Sequence, residues 1–493
     1  MDARDLPYLP TGLGSLSPSW PMETVKELKE LQSGRVNSGH DLALAIARLR
    51  NSLSLTSNTI AHAAYNGYVC FFDQIMPKEE SRKWFQQVVP TLGNLLLRLP
   101  SLLETNFQNA DMDVHGDGVM LATSLRILHP QQPGIVFLTQ ELIAALLACS
   151  LFCLFPVDET CVIDLQKMNF DKLFASMTYD YTRIQEHKIW CIIHYFQRIS
   201  SDMPKGIVSF ERKVLPFEND SIHITYPDAN FWSTSVIPLC KFEVHYSGGI
   251  EDQSNEAVEV DFADPYLGGI VLTSGCLQEE IRFVINPELI AGMLFFPPMA
   301  NNEAIEIVGV ERFSRYTGYS SSFRFSGDYV DERDVDILGR RKTRIVAIDA
   351  LCCPGTRQYT ENSVLREINK AFCGFLFQCK YVLYQKVLLE NGCSSALGNN
   401  VGVATGNWGC GVFGGDPEIK IIIQWLAASQ AQRPFIAYYT FGLEALKNLD
   451  KVVHWISSQN WMVGDLWKEL IEYSRMKLKG EINVGFLGWL QRR

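Results

Sequence analysis

The chain has 493 residues, of which 47% are hydrophobic and 20% are charged, and this composition excludes a wholly disordered protein. The length predicts two or three domains, or one large domain with a helical extension. With 55 acidic and 44 basic residues, the formal net charge is −11, which argues against a protein that binds duplex nucleic acid. An anionic ligand would need a local site built from backbone N–H groups.

The first two hundred residues are predicted to be mainly helical, because apolar residues recur there at helical spacing. Helices are predicted over residues 22–31, 41–53, 81–103, 137–155 and 189–199. Thr139 is the expected cap of the fourth of these. The longest apolar run, residues 142–155, is too short to cross a bilayer, so no membrane association is expected.

Strand patterns follow from about residue 206 onward. Strands are predicted over residues 206–211, 240–246, 258–262, 305–310, 344–348 and 434–441. Helices are predicted over residues 363–377 and 417–430, and again from the last strand to about residue 476. The highly charged segment 326–342 is expected to be a solvated surface loop. This alternation predicts an α/β fold with a mixed sheet flanked by helices.

A glycine-rich loop over residues 406–416 departs from ordinary structural sequence. Asp416 and Pro417 form an N-cap and first-turn proline, so the loop leads directly into a helix N-terminus. Glycine permits close approach of the backbone, and the helix start adds N–H groups and a positive dipole end. The loop therefore predicts a phosphate site, with a tight turn that binds no ligand as the alternative.

The same loop contains G-x-G-x-x-G at Gly409, Gly411 and Gly414. A dinucleotide fold also requires an acidic residue at the end of the next strand, to bind the ribose. The strand predicted over residues 434–441 has no acid at its end. We therefore reject a nicotinamide cofactor, and no cofactor is expected.

Paired carboxylates form a second candidate site. Glu279 and Glu280 directly precede apolar sequence, and Asp261 lies near the end of a predicted strand. Carboxylates grouped in this way are required for acid/base hydrolysis of a glycosidic bond. On spacing alone, a solvated helix start is the better interpretation of the two glutamates.

Aromatic residues and histidines carry weaker signals. Residues 316–319, with Tyr319, are predicted to form a turn, and Phe441 lies at the end of a predicted strand. Either aromatic side chain could stack a base, although a core position is the commoner role. The histidines do not cluster, and neither H-E-x-x-H nor C-x-x-C is present, so no metal site is expected.

The sequence resembles the poly(ADP-ribose) glycohydrolase family, most closely its plant members. The resemblance begins at the Gly268-Gly269 pair, which is followed by Gln278-Glu279-Glu280. Further blocks in family order lie at residues 170–175, 280–289, 316–319, 345–350 and 405–411. The resemblance covers nearly the whole chain.

This resemblance implies a helical accessory region, residues 1–204, packed on a macrodomain-like catalytic domain with C-terminal helices, residues 205–493. It implies a glycosidase that hydrolyses the ribose–ribose O-glycosidic bond of poly(ADP-ribose) and releases ADP-ribose. Poly(ADP-ribose) and ADP-ribosylated proteins are the expected partners. A monomer in the nucleus and cytoplasm, with a role in the DNA damage response, is also expected.

By position in the family motifs, Glu280 matches the catalytic acid/base, Glu279 the residue that holds the ribose hydroxyls, and Asp261 a third acidic residue of the active site. Ile250 and Glu251 match the pair that meets adenine, with Tyr319 stacked near it. The other substrate-binding residues expected are Asp264, Gly268, Gly269, Gln278, Asn407, Trp408, Gly409, Cys410, Gly411, Val412, Phe413 and Phe441.

Two residues depart from the family pattern. Ile270 replaces the third glycine of a triplet, and a β-branched residue is strongly disfavoured wherever a positive φ is needed. Asp264 stands where the family usually has Asn, so a side-chain donor is replaced by negative charge. The alternative function is therefore a weak or inactive paralogue that binds ADP-ribose.

Overall fold

The computed structural model describes residues 9–14, 17–55, 62–112, 124–156, 163–179, 183–217, 225–252, 256–377 and 401–492. Its helices are α1 (Met22–Gln32), α2 (Gly39–Ser52), α3 (His62–Val69), α4 (Lys78–Lys83), α5 (Val89–Met112), α6 (Gln140–Leu151), α7 (Asp171–Tyr179), α8 (Arg183–Ser201), α9 (Ala229–Ser233), α10 (Gln278–Ile285), α11 (Glu361–Phe375), α12 (Pro417–Gln430), α13 (Leu449–Ser458), α14 (Val463–Leu478) and α15 (Phe486–Leu490). Its strands are β1 (Gly134–Thr139), β2 (Ile207–Val214), β3 (Lys241–His245), β4 (Ala257–Ala263), β5 (Glu303–Val308), β6 (Ser314–Thr317), β7 (Arg324–Asp328), β8 (Arg344–Asp349), β9 (Gly402–Gly406) and β10 (Phe435–Tyr439).

The helices before residue 204 pack around one apolar core that continues onto the sheet. Local sequence sets several helix starts: Ser38 accepts the Asp41 N–H at the start of α2. Thr139 accepts the Leu142 N–H at the start of α6, as predicted. Among the helices of the described residues, none is long and apolar enough to cross a membrane.

In the described part of the chain, eight strands form one mixed sheet in the order β1-β2-β5-β8-β4-β9-β10-β3. The block from β8 to β3 is parallel, whereas β1, β2 and β5 pair antiparallel. Helices α11, α12 and α14 pack on one face, and α10 lies with the N-terminal helices on the other. The predicted α/β fold with flanking helices is confirmed.

The helix predicted over residues 137–155 is wrong at its start. Residues 137–139 belong to β1, and the helix begins at Gln140. The strand pairs with β2 from Gly134, opposite Arg212, to Thr139, opposite Ile207. The segment before residue 204 therefore contributes an edge strand to the sheet, and the domain division at residue 204 stays a prediction.

Two other predictions about local structure need correction. The turn predicted over residues 316–319 is strand at its beginning, because Tyr316 and Thr317 lie in β6 and pair with β7. Strand β9 was not predicted, and it lies between β4 and β10 in the parallel block. Its residues, Gly402 to Gly406, include two glycines and lack strand-like alternation.

The charged segment 326–342 is not simply a solvated loop. Arg333 forms a 2.8 Å ion pair with the buried Glu259 of β4. Arg340 is buried and donates to Ser209 of β2 over 2.7 Å. The charges therefore tie this segment to the sheet, because buried carboxylate and hydroxyl groups need partners.

Candidate active site

The candidate residues gather at one edge of the sheet, where the carboxyl ends of the parallel strands meet. Asp261 lies near the end of β4, and Asn407 directly follows β9. Ile250 and Phe441 lie shortly after β3 and β10. Ligands of open α/β sheets typically bind in the crevice outside these strand ends.

A loop of residues 264–277, here named the carboxylate loop, joins β4 to α10. Its backbone binds the side chain of Glu279, which lies in the first turn of α10. One carboxylate oxygen accepts the Asp264 N–H over 2.9 Å, and the other accepts the Gly268 N–H over 2.7 Å. The carboxylate loop therefore fixes both oxygens of Glu279.

Glu280 is held by the same loop. Its Oε2 accepts the Leu277 N–H over 2.8 Å, and its Oε1 accepts the Ile270 N–H over 3.3 Å. A Cβ added at Gly269 would lie 2.7 Å from Glu279 Oε2 and 2.9 Å from Glu280 Oε1, so the two carboxylates converge there. Both side chains are buried, so the interpretation as a solvated helix start is wrong.

Asp261 completes this group from the strand side. Both of its carboxylate oxygens are buried, and among the described residues neither has a hydrogen-bond partner. Burial and the nearby charge of Glu280 raise the pKa of Asp261 to about 8, although Arg282 opposes the shift. An unpaired buried carboxyl at a strand end indicates a functional position.

The pKa of Glu279 is also raised, to well above its ordinary value. Burial is the largest cause, and the charges of Asp261 and Glu280 add to it, against the two backbone hydrogen bonds. Two neighbouring carboxyl groups that repel each other when both are ionised share their protons as a pair. Asp261 and Glu279 therefore retain a proton between them near neutral pH.

Gln278 aligns α10 with β4. Its Oε1 accepts the Phe262 N–H over 2.8 Å, and its Nε2 donates to the Val260 oxygen over 3.1 Å. The side chain of Tyr319 is 52% exposed, and partial burial together with the Glu280 charge raises its pKa.

The two residues matched to the adenine site lie on a short turn after β3. Ile250 is buried and packs with Ala257, Ala404 and Tyr439. The Glu251 carboxylate accepts a hydrogen bond from the Tyr316 hydroxyl. The structure thus brings this turn against β4, β9 and β10.

The glycine-rich loop leads into α12 as predicted, with Asp416 accepting the Glu418 N–H. Gly409 has a φ of +73°, and a Cβ there would lie 2.6 Å from the Ala350 Cβ. The backbone N–H groups of Gly411, Val412 and Phe413 have no acceptor within the described chain. They are free to bind an anion, although a tight turn without a ligand remains open.

The other side chains of this loop are mostly turned inward. Trp408 is buried and donates from Nε1 to the Ile348 oxygen over 2.9 Å. Asn407 donates to the Thr440 oxygen, and the Cys410 thiol contacts the Trp408 oxygen. Phe441 is half exposed at the end of β10.

The structure removes one concern about Ile270. Gly268 and Gly269 have positive φ values, +88° and +52°, but Ile270 is not among the residues with positive φ. Its side chain is 56% exposed. Asp264 is half-buried and accepts the Tyr266 N–H over 2.9 Å; its pKa is raised, mainly by burial.

Comparisons with known proteins identify the family. A family model described as "Poly (ADP-ribose) glycohydrolase (PARG), Macro domain fold" matches residues 229–448, and its helical-domain counterpart matches residues 76–212. The chain belongs to the poly(ADP-ribose) glycohydrolase family. It is 51% identical to poly(ADP-ribose) glycohydrolase 1 of Arabidopsis thaliana, over 98% of this chain and 96% of the relative.

Other members of the family are also similar. A probable poly(ADP-ribose) glycohydrolase 2 of Arabidopsis thaliana is 51% identical over 98% of this chain and 97% of its own length. Poly(ADP-ribose) glycohydrolase 1 of Caenorhabditis elegans is 33% identical over 52% of this chain and 31% of its own length. The helical-domain match ends at residue 212, inside β2, so it includes the edge strand β1.

Sequence reasoning missed two residues that touch the carboxylate loop of this family member. Gln166 donates to the oxygens of Tyr266 and Leu267, and Lys188 of α8 donates to those of Thr273 and Gly275. A signal existed for Lys188, because it lies on the apolar face of a helix, where a lysine is unusual. Within the described residues, no group of three or more His, Cys, Asp or Glu is placed to hold a metal ion.

Proposed function

We propose that the protein is a poly(ADP-ribose) glycohydrolase, a glycosidase that hydrolyses the ribose–ribose O-glycosidic bond of poly(ADP-ribose) and releases ADP-ribose. The observation that carries the proposal is the convergence of Glu279 and Glu280 beside Gly269, with Asp261 buried nearby. The 51% identity to a glycohydrolase over nearly the whole chain supports it. Glycosidic hydrolysis typically uses carboxyl groups in this way.

In the proposed mechanism, Glu280 donates a proton to the leaving ribose oxygen as an oxocarbenium-like centre develops at the anomeric carbon. It then takes a proton from the incoming water, which attacks that carbon. Glu279 is proposed to hold the ribose hydroxyls. The raised pKa values of Asp261 and Glu279 support a site that retains a proton near neutral pH.

The free N–H groups of the glycine-rich loop are proposed to bind the diphosphate of ADP-ribose. They would supply local positive potential in a protein whose formal net charge is −11. Ile250, Glu251 and Tyr319 are proposed to contact the adenine. Gln278 has both polar ends on β4, so we propose that it acts chiefly by orienting α10.

A second candidate is an ADP-ribose reader with weak or no activity, favoured by the departures at Ile270 and Asp264. The active form has more support, because Ile270 avoids a positive φ and its N–H still donates to Glu280. The deciding experiment measures ADP-ribose release from purified poly(ADP-ribose) by the natural protein and by Ile270→Gly. Release by the natural protein supports the glycohydrolase; release by the variant alone, with both binding ADP-ribose, supports the reader.

We expect Gly275→Ala to lower kcat by about tenfold to a hundredfold, because small misplacements of a catalytic group have effects of this size. A Cβ there would lie 2.6 Å from Glu280 Oε1 and 2.5 Å from the Ile270 side chain, so Glu280 must move. ADP-ribose release checks this. Gly488→Ala in α15 is the control, since a Cβ there meets nothing within 4 Å. Unchanged kcat in Gly275→Ala would contradict the assigned position of Glu280.

The cellular setting is proposed from the family resemblance alone. We propose a monomer that acts on poly(ADP-ribose) and ADP-ribosylated proteins in the nucleus and cytoplasm, within the DNA damage response. Direct binding of duplex nucleic acid is not expected, given the formal net charge of −11. Imaging of a fluorescent fusion before and after DNA damage tests the distribution.

A further inference from the structure

The carboxylate loop connects directly to the catalytic carboxylates through its backbone. The Gly268 N–H binds Glu279, and the Ile270 N–H binds Glu280. The Ile270 oxygen in turn accepts the N–H groups of Thr273 and Gly275, over 3.0 Å and 3.2 Å. A shift of the 273–275 turn would therefore move Ile270, whose N–H group binds the Glu280 carboxylate.

Two side chains from the segment before residue 204 hold this loop on both sides of its glycine pair. Before the pair, Gln166 donates to the Tyr266 and Leu267 oxygens over 2.9 Å and 3.1 Å. After the pair, Lys188 Nζ donates to the Thr273 and Gly275 oxygens over 2.8 Å and 2.6 Å. These residues hold the carbonyl side of the loop, while the glutamates accept N–H groups from it.

Lys188 makes shorter hydrogen bonds to the carboxylate loop than Gln166 does. It is fully buried in α8, where an ammonium group is costly unless its donors are satisfied. Burial lowers the pKa of Lys188 to about 8, against an opposing influence of Cys276 and Glu280. Its position among apolar residues of α8 requires a specific reason, and the turn it binds supplies one.

We propose that Lys188 is a positioning residue for the hydrolysis: its ammonium fixes the 273–275 turn, and this keeps the Ile270 N–H on the carboxylate of Glu280. The inference rests on the proposed function and deepens it. The helical segment then takes part in catalysis by holding the loop whose N–H groups bind the acid/base. Lys188 itself does not touch the reacting atoms.

The test compares Lys188→Met, Lys188→Arg and Lys213→Met in the full chain. Lys213 is the matched control, because it is also a buried lysine that donates to two carbonyl oxygens, those of Gly374 and Leu376. We expect Lys188→Met to lower kcat by about tenfold to a hundredfold, with KM changed less than about threefold. Lys188→Arg should recover part of kcat, since it restores a charged donor.

Amide hydrogen exchange of a peptide covering residues 264–277 supplies a readout that does not depend on activity. Exchange there should quicken in Lys188→Met and remain unchanged in Lys213→Met, with folding of each variant verified by its Tm. A folded Lys188→Met with unchanged kcat, or equal kcat losses in both methionine variants, would overturn the proposal. If the natural protein releases no ADP-ribose, the proposed function fails by itself; unchanged exchange in Lys188→Met would then overturn the inference as well, whereas faster exchange would support the hold on the loop.

Discussion

Glu280→Gln is expected to reduce ADP-ribose release by about 10²- to 10⁴-fold, the range that general acid/base catalysis typically contributes. The amide cannot donate a proton to the leaving oxygen or take one from water. Its oxygen can still accept the Leu277 N–H, the shorter of the two backbone bonds to this side chain, so α10 should begin as before. Binding of ADP-ribose, measured by calorimetry, should therefore change little.

Glu288→Gln is the matched control for this prediction. Glu288, like Glu280, is a buried glutamate, but it accepts hydrogen bonds from the Glu311 N–H and from Gln140 rather than from the carboxylate loop, and burial raises the pKa of Glu288 to about 8. We expect this variant to alter Tm and leave kcat close to that of the natural protein. Glu280→Gln with natural turnover would assign the acid/base role to another carboxyl.

The elements that the sequence predicts correctly are those whose start or end is marked by a few neighbouring residues. The helix predicted over residues 417–430 matches α12, because the N-cap Asp416 and the first-turn Pro417 are adjacent in the sequence and together mark its start. By contrast, the apolar sequence of β1 runs directly into that of α6. The pattern therefore predicts one helix over residues 137–155, although the strand ends at Thr139 and the helix begins at Gln140. Strand β9 exists because it fits between β4 and β10, a tertiary condition that its own composition does not reveal.

The candidate site is likewise predicted only in part from local sequence. Sequence placed Asp261 near a strand end and Glu279–Glu280 beside apolar sequence, but spacing alone favoured a solvated helix start. Burial decides otherwise, and burial depends on the whole fold. Lys188 lies 85 residues before Thr273 in the chain, so no local motif could join them. The assigned roles came from the family resemblance, which the comparisons support.

Asp261→Asn is expected to increase stability at alkaline pH while it lowers activity. The folded-state pKa of Asp261 is about 8, above the ordinary value of 3.8. Between pH 3.8 and about pH 8, Asp261 is ionised in the unfolded chain but protonated in the folded protein. The contribution of this carboxyl to the free energy of unfolding therefore falls as pH rises through that range. Asn removes that loss, and each unit of pKa shift corresponds to about 1.4 kcal/mol.

The measurement is Tm of the variant and the natural protein across pH 5 to 9, together with kcat. The difference in Tm should grow in favour of Asp261→Asn up to about pH 8. Asp328→Asn should behave oppositely, because hydrogen bonds from His194 and Arg198 lower the pKa of Asp328 against a partial burial effect. The Tm of Asp328→Asn should lie slightly below that of the natural protein, because the Asp328 carboxylate is 46% exposed. This difference in Tm should vanish as pH falls.

A stability gain in Asp261→Asn with reduced ADP-ribose release would mean that this buried carboxyl is kept for the reaction, despite its effect on folding. The physical reason is that a buried carboxyl without hydrogen-bond partners and with a pKa of about 8 can hold a proton beside Glu279 and Glu280, where the proposed mechanism needs one. A Tm difference that does not change with pH would contradict the raised pKa. Natural activity in the variant would remove Asp261 from the active site and leave Glu279 and Glu280 as the acidic residues of the mechanism.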